Sequence, residues 1–288
     1  MTTPAQNAEP RPLYWSVRRE LWENRSVYWA PLILASVFLL GFLLSTITLP
    51  YRMKQQQFEG ATMPFSVLPG MMLVVAFLVG VFYCLDALHA ERRDRSILFW
   101  KSLPVSDLQT VLSKASIPLL VLPLIVFALA LTGQIVMLLV STAVLLGNGT
   151  GAGMLWGRLP LFRMTLGLVY TLTAVALWHA PIYGWLLMVS AWAKRAVFLW
   201  AVLPWFALAA FERMAFGSKR VIGFLEYRVT GWFETALTFP KNGEVRLDPL
   251  THLAPGRFLT TSALWLGLIV AAAFLAAAVR LRRNREAI

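Results

Sequence analysis

The chain has 288 residues, of which 58% are hydrophobic and only 14% are charged. Soluble domains carry about 25% charged residues, so this composition excludes an ordinary soluble domain and indicates a polytopic membrane protein. The net charge of +12 is typical of basic loops that set orientation and contact anionic membrane lipid, and it does not indicate a nucleic-acid partner.

The N-terminal segment, residues 1–25, is predicted to contain an amphipathic helix. Within Leu13–Arg25 an apolar stripe repeats every four residues, at Leu13, Val17 and Leu21. The charged residues take the other face; they are Arg18, Arg19, Glu20 and Glu23. This pattern predicts an interfacial helix that lies on the membrane surface before the chain enters its first span.

Residues 26–279 are predicted to form a domain of six transmembrane helices. The uncharged runs that mark them are Ser26–Tyr51, Pro64–Leu85, about Ile117–Leu146, Met164–Ala193, Ala196–Phe211 and Phe258–Val279. The third and fourth runs exceed the roughly 20 residues that a span needs. We therefore expect them to tilt, kink or protrude, with Pro118, Pro123 and Pro181 as the kink points.

The fifth run is short. It either extends through Glu212 and Met214 or breaks at Pro204. The outer segment that follows, residues 212–257, contains a second amphipathic piece at Ser218–Ala236, with glycines that permit a bend. This piece is too polar to span, so it either lies in the interface or re-enters the bundle. A turn is predicted in Phe239–Pro249, around an Asn-Gly pair.

Six spans place both termini on one side of the membrane. The predicted inner segments carry most of the basic residues, and the loop between spans two and three alone holds Arg92, Arg93, Arg95, Lys101 and Lys114. The two short outer loops hold Arg52, Lys54, Arg158 and Arg163. By the positive-inside rule, both termini and the basic tail, residues 280–288, are expected in the cytoplasm.

The loop at residues 86–114 is rich in charged residues and contains clear signals that end one helix and begin the next. Its apolar residues share one helical face at Ile97, Trp100 and Leu103. Pro104 cannot continue that helix, and Ser106 and Gln109 form a capping-box pattern that begins the next one. Two interpretations follow from the residues alone: a solvated cytoplasmic hairpin, or a rigid element that passes a push to spans two and three.

Catalytic motifs are absent from the sequence. There is no P-loop, H-E-x-x-H, C-x-x-C or G-x-S-x-G pattern, and the three histidines lie far apart, so neither catalytic residues nor a metal site are predicted. Gln134 and His179 are polar groups within predicted spans and are candidates for a transport pathway. The alternative for His179 is a hydrogen bond to a carbonyl that Pro181 leaves free, which would lock a kink.

The stretch AERRDRSILFWKSLPVSDLQTVLSK resembles the signature of ABC-2 type permeases, the membrane subunits of one class of bacterial ATP-binding-cassette exporters. That signature combines an acidic residue, a Gly-Thr-Leu-like step and a Leu-Pro-hydroxyl turn, which here correspond to Glu91, Arg95-Ser96 and Leu103–Ser106. The Gly-to-Arg departure suggests a subgroup. VRRELWENRS and WHAPIYGWLLMVSAWAKR resemble the N-terminal helix and the fourth span of such permeases.

The resemblance implies a permease in the bacterial cytoplasmic membrane, without a cofactor of its own. Its partners would be a second permease copy, as a homodimer or heterodimer, and two copies of a cytoplasmic ATPase subunit that binds ATP and magnesium. It also implies short outer helices between spans five and six, and a coupling helix that docks on the ATPase. The implied docking residues are Glu91, Arg92, Arg93, Asp94, Arg95, Ile97, Trp100, Lys101, Leu103 and Pro104.

Two other functions fit a six-span chain without catalytic motifs. A stand-alone secondary carrier or channel would need internal repeats or functional charges within the membrane, and neither is evident in the sequence. A non-transporting scaffold would use the same coupling segment to recruit a cytoplasmic partner. The sequence does not identify a transported substrate.

Overall fold

The structure, a computed structural model, describes residues 12–54, 58–94, 106–149, 153–238 and 249–284. These residues are almost entirely helical and form no strand, although Leu237 and Leu253 make an isolated antiparallel bridge. Six helical segments are long and apolar enough to cross a membrane: Ser26–Arg52, Thr62–Arg93, Asp107–Gly147, Leu161–Trp192, Val197–Phe216 and Ser262–Asn284. The predicted all-α fold with six candidate membrane-spanning helices is confirmed.

The helices are, in chain order, α1 Pro12–Glu23, α2 Ser26–Ser45, α3 Leu49–Lys54, α4 Phe58–Ala87, α5 His89–Arg93, α6 Asp107–Ser116, α7 Leu122–Gly147, α8 Gly153–Arg158, α9 Leu161–Trp192, α10 Val197–Phe216, α11 Arg220–Thr230, α12 Trp232–Ala236, α13 Pro255–Thr260 and α14 Ser262–Asn284. Short 3₁₀ turns lie at Thr46–Thr48 and Pro249–His252.

The third span begins at the predicted capping box. The backbone N–H of Gln109 donates to Ser106 Oγ at 3.1 Å, and the N–H of Ser106 donates to Gln109 Oε1 at 3.2 Å. Between α6 and α7 the helix widens into a π-helical turn at Ile117–Val121, which contains Pro118. A proline removes one backbone donor, so local rewinding is expected where the sequence places it.

The fifth span continues through Pro204, Glu212 and Met214 and ends at Phe216, so the longer of the two predicted forms is present. The segment predicted to lie outside then forms α11 and α12, which meet at Gly231. A Cβ at Gly231 would lie 2.4 Å from the carbonyl oxygen of Tyr227, so this junction requires glycine. The turn predicted within Phe239–Pro249 lies almost wholly outside the described residues.

Helices α11 and α12, which we call the outer hairpin, reach into the bundle. Trp178 Nε1 donates to the carbonyl oxygen of Arg228 at 3.1 Å, and His179 Nε2 lies 3.1 Å from the carbonyl oxygen of Val229. Trp178 and His179 lie near the middle of α9. The segment Ser218–Ala236 therefore packs against the middle of the fourth span.

The fourth span is the centre of the bundle. Within its most apolar stretch 39% of the residues are buried, compared with 11% for the fifth span, which lies at the periphery. Helix α9 packs closely on α14, where a Cβ at Gly184 would lie 3.2 Å from the carbonyl oxygen of Ala271. Small residues allow this approach because helices in lipid associate through close packing.

Candidate functional site

A buried ion cluster lies at the end of the bundle near both termini. It joins three carboxylates to three cations, and its members are Arg19, Glu20, Glu91, Asp107, Lys114 and Arg282. Equal numbers of opposite charges can be buried together at far lower cost than a single unpaired charge. The cluster joins four segments that are distant in sequence: α1, α5, α6 and the end of α14.

Glu91 is the centre of this ion cluster. One carboxylate oxygen lies 3.1 Å from Lys114 Nζ and 3.4 Å from Arg19 Nη2, and the other lies 3.1 Å from Arg282 Nη2. Only 7% of the Glu91 side chain is exposed. Arg282 also pairs with Asp107, the first residue of α6. Glu91 therefore holds α5 against α1 and against the ends of the third and sixth spans.

Glu20 is a second anchor, and it is completely buried. Its carboxylate accepts hydrogen bonds from Lys114 Nζ at 2.9 Å, Arg19 Nη2 at 3.0 Å and the Tyr83 hydroxyl at 2.8 Å. Burial by itself raises the pKa of this carboxyl, but the charges and hydrogen bonds of Lys114 and Arg19 outweigh burial and lower the pKa below 4.5. Glu20 is therefore held as a carboxylate at neutral pH.

Arg92 faces the opposite way and closes the end of α9. Its Nη2 donates to the carbonyl oxygens of Ser190 and Ala193, at 2.9 and 2.5 Å. Ser190 Oγ in turn accepts from the backbone N–H groups of Leu88 and His89, at 3.1 and 3.0 Å. These carbonyls and N–H groups lie at helix ends, where no partner within the helix satisfies them. The fourth span and α5 thus cap one another.

The predicted docking residues divide into three groups. Glu91 and Arg92 are buried in contacts within this chain, and their side chains do not form part of its surface. Arg93 and Asp94 are more than half exposed and pair with each other at 3.0 Å. The remaining predicted docking residues lie outside the described part of the chain; they are Arg95, Ile97, Trp100, Lys101, Leu103 and Pro104.

Gln134, a predicted pathway residue, has a structural partner. Its Nε2 donates to the carbonyl oxygen of Phe65 at 2.9 Å. In a regular helix that carbonyl would accept from residue 69, but Pro69 has no N–H to donate. Gln134 in span three therefore satisfies a carbonyl that a proline frees in span two. Its own Oε1 is buried without a hydrogen-bond partner.

His179 also bonds to backbone, although not at the predicted carbonyl. Pro181 frees the carbonyl of Leu177, but His179 Nδ1 lies 2.8 Å from the carbonyl oxygen of Val175, and Nε2 faces Val229 of the outer hairpin. A neutral imidazole can donate through only one of these nitrogens. The contact with Val229 connects the middle of the fourth span to the outer hairpin. Helix α9 continues through Pro181 without a break.

The predicted pathway residues line two different cavities. The first, which we call the glutamine cavity, has a volume of about 560 Å³ and is lined by spans two, three and four and the outer hairpin, including Gln134 and His179. The second, the arginine cavity, has a volume of about 580 Å³ and lies among spans four, five and six and α11, with Pro181 and Arg228 on its wall. Phe77 and Val229 line both cavities.

Several residues of these sites were not among the sequence predictions. The sequence pattern places Glu20 on the polar face of α1, yet Glu20 turns inward together with Arg19. In the sequence, Lys114 and Arg282 serve only as indicators of topology. The signal in the sequence is one of position. Lys114 and Arg282 lie at ends of apolar runs, and the acidic residues Glu20 and Glu91 lie near ends of other apolar runs. Among the described residues, no group of His, Cys, Asp and Glu side chains could hold a metal ion.

Comparison with protein-family models, with curated proteins and with solved structures finds no match for this chain. The assignment of a function therefore depends on the residues and their arrangement.

Proposed function

We propose that this chain is the permease subunit of an ATP-driven exporter in the bacterial cytoplasmic membrane, with both termini in the cytoplasm. A separate cytoplasmic ATPase, present in two copies, binds ATP and magnesium, and a second permease copy completes the complex. The resemblance of residues 90–114 to ABC-2 permeases supports this proposal, as do the six helices long and apolar enough to span a membrane.

The observation that carries the proposal is the attachment of α5. This short helix directly follows span two, and its Glu91 and Arg92 make buried contacts with α1 and with the ends of spans three, four and six. Separating buried charges from their partners costs several kcal/mol. A displacement of α5 is therefore expected to move these helix ends together rather than to bend the loop alone.

Burial supports a division of roles among the residues proposed to meet the ATPase. Glu91 and Arg92 are buried and act as positioning residues that hold α5 against the bundle. The exposed Arg93 and Asp94, together with residues 95–104, would form the docking surface. This division predicts two separable effects of mutation. Changes in the exposed residues should weaken binding of the ATPase, and changes in the buried residues should stop the movement of α5 from reaching the spans.

Docking is tested by purifying the tagged chain from its native cells in mild detergent and identifying co-purifying proteins by mass spectrometry. An ATP-binding-cassette ATPase is expected with the wild type. The double variant Arg93→Glu, Lys101→Glu should lose the ATPase. The control variant Lys219→Glu reverses the charge of an exposed residue just before α11, and it should retain the ATPase. If no ATPase is recovered with the wild type, the proposal is wrong.

Transmission is tested with Glu91→Gln in the purified complex. Hydrogen exchange of residues 218–236 is compared with and without ATP and vanadate, so no substrate is needed. The wild-type outer hairpin should change its exchange on trapping, and Glu91→Gln should keep the ATPase bound while losing that change. An ATPase that binds without any such change in the wild type would indicate a scaffold, and nucleotide-independent transport by the chain alone would indicate a carrier.

A further inference from the structure

The arginine cavity combines an apolar wall with a single charge. Its volume of about 580 Å³ lies within the range of small-molecule sites, about 300–1,000 Å³. Apart from Arg228, every side chain that lines it is apolar or aromatic. Several lining residues are also strongly exposed on the surface of the chain, among them Phe206, Phe224 and Leu266.

The Arg228 guanidinium makes one hydrogen bond and one ring contact but is not neutralised. Only 8% of the residue is exposed. Its Nη1 donates to the carbonyl oxygen of Ala263 at 3.1 Å, and its Cζ lies 5.0 Å from the centre of the Trp178 ring. Its Nη2 is buried without a hydrogen-bond partner, and no described carboxylate forms an ion pair with it. A buried cation of this kind is costly unless an anion compensates it.

Gly267 makes room for this guanidinium. A Cβ at that position would lie 1.8 Å from Nη2, so any other residue would displace the Arg228 side chain. The other lining residues of span six, such as Leu266 and Val270, are apolar and carry a side chain. The glycine in this wall of the cavity therefore lies where the guanidinium needs space.

We propose that the arginine cavity binds a long-chain carboxylate, a single-chain lipid acid that enters from the membrane. Its head group accepts hydrogen bonds from the Arg228 guanidinium after a rotation of that side chain, and its chain lies along the aromatic wall formed by span five and α11. A carboxylate matches the planar guanidinium, and it brings no further polar atoms that this wall would leave unsatisfied. The cavity volume favours one acyl chain. This inference does not depend on the exporter proposal.

The test uses a palmitate that carries a photoreactive diazirine, added to the purified chain in detergent, with labelled peptides mapped by mass spectrometry. Label is expected on peptides from α11 and from the first half of α14. Excess oleate should compete, and oleyl alcohol, which has the same chain but no acid, should not. Arg228→Gln should reduce labelling by about tenfold or more, because it removes a charged hydrogen-bond donor.

Two variants keep the result interpretable. Arg220→Gln removes an exposed arginine from the same helix and should label as the wild type does. Val270→Trp fills the cavity from span six with Arg228 intact, so it should also reduce labelling even if Arg228→Gln fails to fold. Equal competition by oleyl alcohol, stronger competition by phosphatidylglycerol in the same detergent, or label mapped elsewhere would each overturn the proposal.

Discussion

Lys114 at the start of the third span and Glu20 in the N-terminal helix form a direct ion pair, with Nζ and Oε1 2.9 Å apart and both side chains almost completely buried. The same ammonium group lies 3.1 Å from Glu91. Lys114 thus joins the segment before span one to the segment after span two. Because Lys114 is itself buried and neutralises two buried carboxylates, its loss should be costly.

Lys114→Met is expected to destabilise the protein by about 3–5 kcal/mol, because it leaves Glu20 and Glu91 buried with one partner fewer. Thermal unfolding in detergent, followed by circular dichroism, measures the loss. The matched control is Arg93→Met, since Arg93 is 57% exposed and its ion pairs are screened by water. Equal stability of Lys114→Met and the wild type would mean that water reaches these carboxylates.

Acid should weaken the ion cluster through Glu20. Its pKa in the folded protein is lower than the value near 4.5 of an unfolded chain. Such a group contributes stability that is fully present above pH 4.5 and is lost as the pH falls through the folded-state pKa. Unfolding measured between pH 7 and pH 3 should show this decline, and Glu20→Gln should flatten it. The neighbouring Glu23, whose pKa burial raises, provides the contrast, because Glu23→Gln should leave the decline in place.

The bond from Gln134 to Phe65 should depend on Pro69. Gln134→Leu leaves a buried carbonyl without a donor, with an expected cost of about 1–3 kcal/mol. Pro69→Ala restores an N–H that can bond to Phe65, so Gln134→Leu should cost less in that background. A double-mutant cycle in detergent measures the coupling. Additive effects of the two substitutions would contradict the compensation of one helix by the other.

Glu212 should hold the outer hairpin in place. Its carboxylate accepts from the backbone N–H groups of Arg220 and Val221, both at 2.7 Å, and from the Ser218 hydroxyl. It therefore acts as a cap supplied by the preceding span. Glu212→Ala should speed hydrogen exchange in residues 218–230, while Glu226→Ala, on an exposed face of the same helix, should not. Unchanged exchange in Glu212→Ala would show that packing alone orders this helix.

The orientation of the chain can be tested independently of any partner. In a Cys84→Ala background, Lys101→Cys should react with a membrane-impermeant maleimide only after intact cells are permeabilised. A cysteine at Lys219 should react from outside. Reaction of both positions from the same side, or the reverse pattern, would contradict the proposed cytoplasmic location of the termini and of the loop between spans two and three.

The sequence by itself determined the number of spans and the nature of their connections. Long uncharged runs must become helices in lipid, because only helices satisfy their own backbone there. Local signals were equally readable, since the capping box at Ser106 and the rewound turn at Pro118 depend on residues a few positions apart. The amphipathic stripe of the outer segment predicted helices there, although not how deeply they enter the bundle.

Only the tertiary structure decided which charges are buried. Glu20, Glu91 and Arg92 sit on short helices whose charged faces look solvated in sequence, and their partners lie up to 191 residues away. The donor for the carbonyl freed by Pro69 comes from another span, and the Arg228 guanidinium fits against a glycine of span six. The pattern of residues along one helix shows which of its faces is charged. Whether a charged side chain is buried depends on which residues of another helix pack against it.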